Sequence, residues 1–296
     1  MKIIRAAHYG MCFGVRDAIT LAKQHAAQAP LSILGDLVHN ETVLNDLRGR
    51  GVRIVNLGDD LPTAQVMITA HGTSQRVVGA VVARGHRVIE ATCPLVRHAH
   101  LAVAQLVREG HHPVIIGQRQ HVEVRGITGD LEAYDVILTE ADVDELRERP
   151  RFGVIAQTTQ RLDRARFLVA MIQRRFPQSE VKFVDTVCRP TKQRQGAAMD
   201  LARQCTTVIV IGGAHSNNTR ELVAACEQWC PRVHHVQTAQ ELRQEWFNQD
   251  DLVGITAGTS TPDEVIDAVE MQLHSWNHDA ATPASVTANH HAVAVG

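Results

Sequence analysis

The sequence predicts an α/β fold built from three similar modules, and two patterns lead to that prediction. Apolar runs of strand length alternate with stretches of helical spacing along the chain. The runs are KIIRAAH, LSILGDL, AQVMITA, HRVIEAT, HPVIIG, FGVIAQT, VKFVDTV, TVIVIGG and LVGITAG. Their hydrophobicity is continuous, which is typical of parallel strands covered on both faces by helices. The second pattern is a cysteine at a strand-to-helix junction, at Cys12, Cys93 and Cys188, with spacings of 81 and 95 residues.

The stretches between the runs carry apolar residues three and four positions apart, as amphipathic helices do. Examples are VRDAITLAKQHAAQ, PLVRHAHLAVAQLVREG, RARFLVAMIQRRF and DEVIDAVEMQLHSW. We place the domain boundaries just after the second and third junction cysteines, which gives domains at 1–93, 94–188 and 189–277. Residues 278–296 are rich in Ala, Thr and His without a period, and we expect a disordered tail there.

Length and composition limit the function classes. With 296 residues the chain can bury a substantial core in two or three domains. A formal charge of −2 does not indicate the basic surface that nucleic-acid-binding proteins need. We find no run of 18 apolar residues and no basic leader, so we expect no membrane partner and a cytoplasmic location. Six cysteines in such a chain indicate thiols, metal ligands or catalytic groups rather than a disulfide scaffold.

The six cysteines fall into two groups. Cys12, Cys93 and Cys188 precede helix starts, and a helix N-terminus favours the thiolate. Three converging thiolates suit an iron–sulfur cluster with one iron left without a protein ligand, or a zinc site with an open position. The other group lies inside helical patterns, where cysteine is normally a small buried hydrophobic residue. Its members are Cys205, Cys226 and Cys230.

Polar side chains recur at the predicted strand ends. In open α/β sheets, ligands bind beyond the carboxyl ends of the strands. Those positions hold His39-Asn40, His71-Gly72, His121, Glu123, Thr158-Thr159, Ser216-Asn217-Asn218 and Ser260. Hydroxyls, amides and imidazoles beside glycines suit phosphate oxygens, so we infer a diphosphate ligand. Many of these residues are also ordinary helix N-caps, but capping alone does not explain three histidines and three cysteines at strand ends.

Several short motifs together resemble one known family. They are GMCFGV, LVHN, AHG, ATCPLV, HVEVRGITG, QTT, DTVC, RQ, SNN and TAGTSTPD, and they run from about residue 2 to residue 275. The combination of ATCPLV with AHG and a downstream QTT is specific. On these motifs the sequence resembles the 4-hydroxy-3-methylbut-2-enyl diphosphate reductases, the family that completes the methylerythritol phosphate route to isoprenoids.

The resemblance implies a trefoil of three α/β domains around a central 4Fe-4S cluster held by Cys12, Cys93 and Cys188. It implies reductive removal of the substrate's allylic hydroxyl, which gives isopentenyl and dimethylallyl diphosphate. Thr158 would contact that hydroxyl, and Glu123 would deliver the proton that the departing oxygen needs. The diphosphate would be held by His39, His71, His121, Ser216, Asn217, Asn218 and Ser260. An electron donor protein such as ferredoxin or flavodoxin would supply the two electrons.

The sequence departs from the usual family pattern at several positions. These are His8-Tyr9, Met11, Phe13, Gln118-Arg119-Gln120, Val122 and Asn217. None of them removes a predicted catalytic group. They leave open a divergent paralogue that acts on another phosphorylated substrate.

Three interpretations from other classes are weaker. His121-Val122-Glu123 resembles the His-x-Glu of zinc deaminases, but the sequence lacks the Pro-Cys-x-x-Cys pair of that family. A nicotinamide-dependent dehydrogenase is disfavoured because no Gly-x-Gly-x-x-Gly follows the first strand. A non-enzymatic iron–sulfur sensor could use the same cysteines, yet it would not need the histidines and serines at the strand ends. The sequence therefore favours an enzyme.

Overall fold

The computed structural model describes residues 1–56 and 58–279, in which strands and helices alternate. The strands are β1 (Lys2–Arg5), β2 (Leu31–Leu34), β3 (Arg53–Val55), β4 (Gln65–Ile68), β5 (Arg87–Glu90), β6 (His112–Ile116), β7 (Asp135–Ile137), β8 (Arg151–Ala156), β9 (Glu180–Phe183), β10 (Thr207–Ile211), β11 (Val233–Val236) and β12 (Leu252–Ala257). The α-helices are α1 (Phe13–Gln28), α2 (Glu41–Gly49), α3 (Gln75–Ala83), α4 (Pro94–Arg108), α5 (Val122–Thr128), α6 (Glu140–Glu145), α7 (Leu162–Arg175), α8 (Arg189–Ala202), α9 (Asn217–Glu227) and α10 (Asp263–Asp279). Short 3-10 helices span Ala239–Glu241 and Gln244–Trp246.

The strands of the described chain form three sheets, each with four parallel strands. Sheet I has the order β3-β2-β4-β5, sheet II β7-β6-β8-β9 and sheet III β1-β12-β10-β11. Alternate residues of one strand enter different apolar clusters. In sheet II, Val114 and Val154 pack into one cluster, and Ile115 and Ile155 pack into another on the opposite face. Burial of both faces explains the continuous apolar runs and confirms the prediction of parallel α/β sheets.

All three sheets share one strand order, counted from the edge that precedes a cysteine. The edge strands are β5, β9 and β1, and Cys93, Cys188 and Cys12 follow them. The second strands are β4, β8 and β12, and the third strands are β2, β6 and β10. The helix after each cysteine leads to another sheet, so that Ala18 of α1 lies in the core of sheet I together with Ile33. Each cysteine therefore lies where the chain passes between sheets.

Strand β1 differs from the sequence prediction. The prediction placed residues 1–93 in one domain, but β1 pairs with β12 of sheet III, from Lys2 against Leu252 to Arg5 against Ile255. An apolar run identifies a strand but not its partner, which here lies about 250 residues away in the sequence. The domain boundaries after residues 93 and 188 stay predictions.

Cys205, Cys226 and Cys230 lie in the apolar core of sheet III, where they are at most 8% exposed. Burial raises the pKa of the Cys226 thiol to about 12, so this thiol is neutral at pH 7. A neutral buried thiol packs as a small hydrophobic side chain. Their interpretation as core residues is confirmed.

The last predicted segment is only partly covered by the structure. Residues 278 and 279 belong to the end of α10, and the rest of the tail predicted at 278–296 lies outside the described residues. Across residues 1–56 and 58–279, none of the helices combines the length and the apolar character needed to cross a bilayer.

Candidate active site

Cys12, Cys93 and Cys188 are the N-cap residues of α1, α4 and α8. An N-cap side chain often accepts a hydrogen bond from the first turn of its helix, but these three thiols make no such capping bond. All three are partly exposed and free of disulfides. Their sulfur atoms are therefore available as ligands at the positive ends of three helices.

A repeated backbone contact places the cysteines beside predicted substrate contacts. Each cysteine N–H donates to a carbonyl that follows the second strand of its sheet. The pairs are Cys12 with Thr259 at 3.1 Å, Cys93 with Ala70 at 3.0 Å and Cys188 with Thr158 at 2.9 Å. The acceptor Thr158 is itself a predicted site residue. The other two acceptors directly precede one, since Ala70 is followed by His71 and Thr259 by Ser260. The same contact in all three sheets thus joins the metal and substrate predictions.

Two glycines allow the sheets to meet at this edge. A Cβ atom on Gly14, in the first turn of α1, would lie 2.5 Å from Sγ of Cys93. A Cβ atom on Gly213, after β10, would lie 2.3 Å from the carbonyl oxygen of His39. Any larger residue would force these segments apart. The Cys12 helix therefore touches Cys93, and the loop of sheet III touches the histidine loop of sheet I.

The thiols share their electrostatic environment with Glu123. Burial raises the pKa of the Cys188 thiol to about 11, and negative charge on Cys12 and Glu123 adds to that effect. Burial also raises the pKa of Cys93, again with contributions from Cys12 and Glu123, although the amides of Leu95 and Val96 favour the thiolate. Three thiolates in this space repel one another, so a cationic metal group would stabilise them.

Three predicted histidines form one cluster. The rings of His39 and His71 stack with centroids 4.5 Å apart, and His121 meets them edge-on at 5.1 and 5.6 Å. Burial lowers the pKa of each ring, to about 3 for His121. Repulsion between the rings lowers the pKa values of His71 and His121 further. The cluster is therefore neutral at pH 7 before any anion binds.

The hydrogen bonds of the histidine cluster show which ring nitrogen of His121 carries the proton. His121 is the N-cap of α5, and its Nδ1 accepts the N–H of Glu123 at 3.1 Å. A neutral imidazole that accepts at Nδ1 carries its proton on Nε2, which becomes a donor. Nδ1 of His71 is buried without a hydrogen-bond partner in the described protein. The cluster thus offers donors that an anionic ligand can use.

Glu123 and Thr158 form the most enclosed polar contact of the site. Both are buried, at 1% and 4% exposure. The N–H of Thr158 donates to Oε1 of Glu123 at 2.6 Å, and the Thr158 hydroxyl bonds to Oε2 at 2.8 Å. Burial raises the pKa of Glu123 to about 7, although both hydrogen bonds oppose that shift. A carboxyl group with that pKa can both hold and release a proton near neutral pH.

The residues from sheet III differ in whether their hydrogen bonds are satisfied. Asn217 uses both amide atoms, because Oδ1 accepts from Gln118 at 2.7 Å and Nδ2 donates to Oγ1 of Thr159 at 2.9 Å. Asn218 is buried, and neither Oδ1 nor Nδ2 has a hydrogen-bond partner among the described residues. Ser260 donates to the His39 carbonyl at 3.3 Å. Asn218 is thus the polar group of this sheet that most clearly lacks a partner.

The structure adds residues whose roles the sequence analysis did not predict. Arg220 donates to Gln118 Oε1 at 2.8 Å, and its charge lowers the pKa values of His39 and His121. Arg194 is buried beside the cysteine loops and lies in the RQ motif, whose chemistry the motif alone did not reveal. No spacing in the sequence marks Arg220, because its contact with Gln118 joins two sheets.

The sequence and the fold of this chain are similar to those of known proteins. A family model described as LytB protein matches residues 3–274. The chain belongs to the LytB family. This LytB-family chain is 37% identical over 280 residues to the 4-hydroxy-3-methylbut-2-enyl diphosphate reductase of Aquifex aeolicus, covering 92% of this chain and 96% of that protein. It is 36% identical over 281 residues to the enzyme of the same name from Trichlorobacter lovleyi, covering 94% and 99%.

Solved structures give the same result for the LytB fold. A structure of (E)-4-hydroxy-3-methyl-but-2-enyl diphosphate reductase, described as the terminal enzyme of the non-mevalonate pathway, matches with a TM-score of 0.67 at 36% identity, covering 93% of this chain and 99% of that one. The reductase of Plasmodium falciparum matches in fold with a TM-score of 0.88 at 24% identity, covering 93% and 89%. The predicted family, the α/β trefoil and the assignment as an oxidoreductase are confirmed.

Proposed function

We propose that this LytB-family protein reduces 4-hydroxy-3-methylbut-2-enyl diphosphate to isopentenyl and dimethylallyl diphosphate. The allylic C–O bond breaks, two electrons and two protons are taken up, and the oxygen leaves as water. One observation carries the proposal: buried Glu123 contacts Thr158, whose carbonyl accepts the N–H of Cys188. A proton donor, a hydroxyl and a predicted metal ligand thus follow one another in direct contact. The names of the relatives support this substrate.

We assign Cys12, Cys93 and Cys188 as ligands of a 4Fe-4S cluster with one iron open to substrate. In the described parts of the chain, no three His, Cys, Asp or Glu side chains are grouped to hold a single metal ion. A cluster differs because each thiolate binds a different iron, so its ligands stand farther apart than those of one zinc. Cys12, Cys93 and Cys188 are free, partly exposed thiols at three helix N-termini, which suits them to bind such a cluster. When bound, such a cluster supplies electrons and a Lewis-acidic iron for the C–O bond.

The histidine cluster and sheet III are assigned to the diphosphate. The lowered pKa values keep His39, His71 and His121 neutral before substrate binds. Each neutral imidazole has one N–H group that can donate to a phosphate oxygen. Asn218 offers an amide without a protein partner, and an oxygen of the diphosphate would satisfy its donor. The remaining contacts come from the hydroxyls of Ser216 and Ser260. Asn217, predicted as a direct contact, is proposed here to hold the Thr159 segment, since both of its amide atoms are used.

Glu123 is assigned as the proton donor, with Thr158 as its connection to the substrate hydroxyl. Hydroxide is a poor leaving group, so the departing oxygen must be protonated as the C–O bond breaks. Burial keeps the pKa of Glu123 near 7, and the carboxyl group is therefore partly protonated at neutral pH. The Thr158 hydroxyl touches Glu123 and can accept a proton on one side while it donates on the other.

The electrons are assigned to a small donor protein such as ferredoxin or flavodoxin. The residues directly after the three cysteines, Phe13, Pro94 and Arg189, are exposed, and Phe13 is 47% exposed. An exposed aromatic ring beside a predicted cluster ligand suits a short-lived protein contact. We keep a cytoplasmic location as part of this proposal because the three thiols need reducing conditions.

Anaerobic turnover tests the proposed function. The purified protein, reconstituted with iron and sulfide without oxygen, is expected to be brown and to convert the allylic diphosphate with a chemical reductant. Protein treated with a chelator is the control and is expected to be inactive. A brown protein that binds this substrate but does not reduce it would support the divergent paralogue. A brown protein that does not bind it would support a sensor, and a colourless zinc protein would overturn the proposal.

A further inference from the structure

Arg194 joins two of the three cysteine segments. It lies on α8 and is 8% exposed. Its Nε donates to the carbonyl of Gly10 at 2.8 Å, and its Nη1 donates to the carbonyl of Pro190 at 3.1 Å. Gly10 lies two residues before Cys12 in a left-handed conformation (φ 70°), and Pro190 lies two residues after Cys188. One guanidinium group thus connects the first turn of α8, next to Cys188, to the loop that precedes Cys12.

The charge of Arg194 has no carboxylate partner in the described chain. Other partly buried arginines do have one, as Arg5 does in Glu270 and Arg232 in Asp251. Both acceptors of Arg194 are neutral carbonyls. A guanidinium stays protonated in proteins, and a buried charge without a counter-charge is strongly unfavourable. The Arg194 site is therefore incomplete without an anion.

The anion closest at hand is the predicted cluster with its thiolates. Burial lowers the pKa of Arg194, and negative charge on Cys12 and Cys188 counteracts that effect, whereas Arg16 adds to it. Arg16 is itself paired with Asp263 at 3.3 Å. A 4Fe-4S core with three thiolate ligands carries a net negative charge, which grows when an electron is added. A buried cation beside it stabilises the reduced form more than the oxidised form.

We infer that Arg194 is the counter-cation of the cluster and raises its reduction potential. This inference rests on the proposed function, because it requires the cluster. It makes Arg194 a residue that acts through the cluster rather than on the substrate. It also gives a physical reason for an arginine, rather than a neutral residue, at the buried position of the RQ motif.

A redox titration followed by visible absorption and electron paramagnetic resonance tests the inference. Arg194→Gln removes the charge but keeps a hydrogen-bond donor, and Arg194→Lys keeps the charge but cannot make both bonds in the same geometry. We expect Arg194→Gln to disfavour one-electron reduction by about tenfold or more, a fall of about 59 mV in potential. Arg194→Lys is expected to remain within about threefold of the wild type. Arg203→Gln, at the opposite end of the same helix and exposed, is the control and is expected to shift the potential little, because distance and solvent screen its charge.

Each result decides for or against the inference. An unchanged potential in Arg194→Gln overturns it. If Arg194→Gln does not retain iron, the iron content of Arg194→Lys decides: retention in the lysine variant supports a counter-charge, and loss in both shows that only the carbonyl bridge matters. Circular dichroism records the folding of each variant. Failure of the wild type itself to bind a cluster would refute the proposed function instead, so the two failures are distinct.

Discussion

Sheets II and III present side chains from the same places in their strand order, yet the groups differ in chemistry. After the third strand, sheet II presents Glu123 and sheet III presents Asn218. After the second strand, sheet II presents Thr158 and sheet III presents Ser260. Both carboxylate oxygens of Glu123 are hydrogen-bonded, whereas both amide atoms of Asn218 lack a partner in the described protein. The protein thus satisfies Glu123 of sheet II by itself, but it leaves Asn218 of sheet III without a partner.

This difference indicates how a repeated scaffold can divide its tasks. The backbone pattern, with its cysteine after the edge strand, is common to the sheets and supplies three equivalent predicted metal ligands. The loops of the inner strands then determine what each sheet adds. Sheet II holds a proton in a closed contact, and sheet III keeps buried amide groups for a ligand to satisfy. Substitution of Glu123 in sheet II should therefore affect turnover, and substitution of Asn218 in sheet III should affect binding.

The largest expected effect removes what the sheets have in common. Replacement of Cys12, Cys93 or Cys188 by Ser should abolish cluster binding and reduce turnover to background, equally in all three variants, because each sheet contributes one ligand. Iron analysis and anaerobic turnover measure this. Cys230→Ala, in the core of sheet III, is the control and should retain its iron. Full iron content in Cys93→Ser would refute the ligand assignment.

The next effect separates sheet II from sheet III through turnover. Glu123→Gln preserves the shape and the contacts with Thr158 but cannot release a proton, so kcat should fall by about two to four powers of ten. Substrate affinity, measured by spectroscopic titration, should change little. Glu109→Gln, at a surface ion pair with Lys182, is the control and should leave kcat unchanged. A near-native kcat for Glu123→Gln would assign the acid role to another group.

A smaller effect is expected for Asn218. Its substitution and that of Asn217 should change the free energy of unfolding in opposite directions. Asn218→Leu should weaken substrate binding by about one to two powers of ten, yet raise the free energy of unfolding by about 1 kcal/mol, since it removes unpaired buried groups. Asn217→Leu is the matched control. It should lower the free energy of unfolding by about 1 to 3 kcal/mol, because it leaves Gln118 and Thr159 unpaired. Destabilisation by both substitutions would contradict the contrast between these amides.

The last expected effect concerns stability alone, and it is the pH dependence that Glu123 confers on sheet II. Its pKa of about 7 in the folded state exceeds the ordinary 4.5. Below pH 4.5 the carboxyl group is protonated in both the folded and the unfolded state. Between pH 4.5 and 7 it ionises in the unfolded state but stays mostly protonated in the folded state, so the free energy of unfolding falls as pH rises. Above about pH 7 it is ionised in both states, and the free energy of unfolding no longer changes with pH. Glu123→Gln cannot ionise, so its advantage over the wild type should grow up to about pH 7.

Urea unfolding of the cluster-free protein at pH 5, 6, 7 and 8 measures this advantage. Glu140→Gln is the control: pairing with Arg164 lowers the pKa of Glu140 to about 2, so Glu140 is ionised in both states above about pH 5 and the effect of the substitution should stay nearly constant from pH 5 to 8. An advantage for Glu123→Gln that is constant from pH 5 to 8 would contradict a raised pKa at this position.

The sequence predicts the strand ends well because buried parallel strands are continuous apolar runs with visible limits. His39, His71 and His121 follow three such runs, and the shared edge of parallel sheets explains why they meet. The pairing of β1 with β12 could not be predicted in this way, because it depends on which of many similar strands meet. Arg194 could not be assigned either, because its partners are backbone carbonyls, which every residue has.

Two departures from the family pattern are far apart in the sequence but in contact in the structure. Gln118 and Asn217 both depart from the usual motifs, and they are hydrogen-bonded to one another at 2.7 Å across sheets II and III. Arg220 completes the contact by donating to Gln118. The two departures therefore belong to one contact between sheets II and III, and neither removes a predicted catalytic group.

The pairing of β1 with β12 also has a consequence for the order of biosynthesis. The two strands are about 250 residues apart, so at 5 to 20 residues per second β1 is made roughly 12 to 50 s before its partner. During that interval β1 has no sheet to join, although α1, which begins directly after Cys12, can already pack on sheet I. Sheets I and II can assemble from consecutive strands as they leave the ribosome, but sheet III cannot close until β12 appears. The backbone contact of Cys12 with the carbonyl of Thr259, directly after β12, is therefore expected to form last of the three equivalent cysteine contacts.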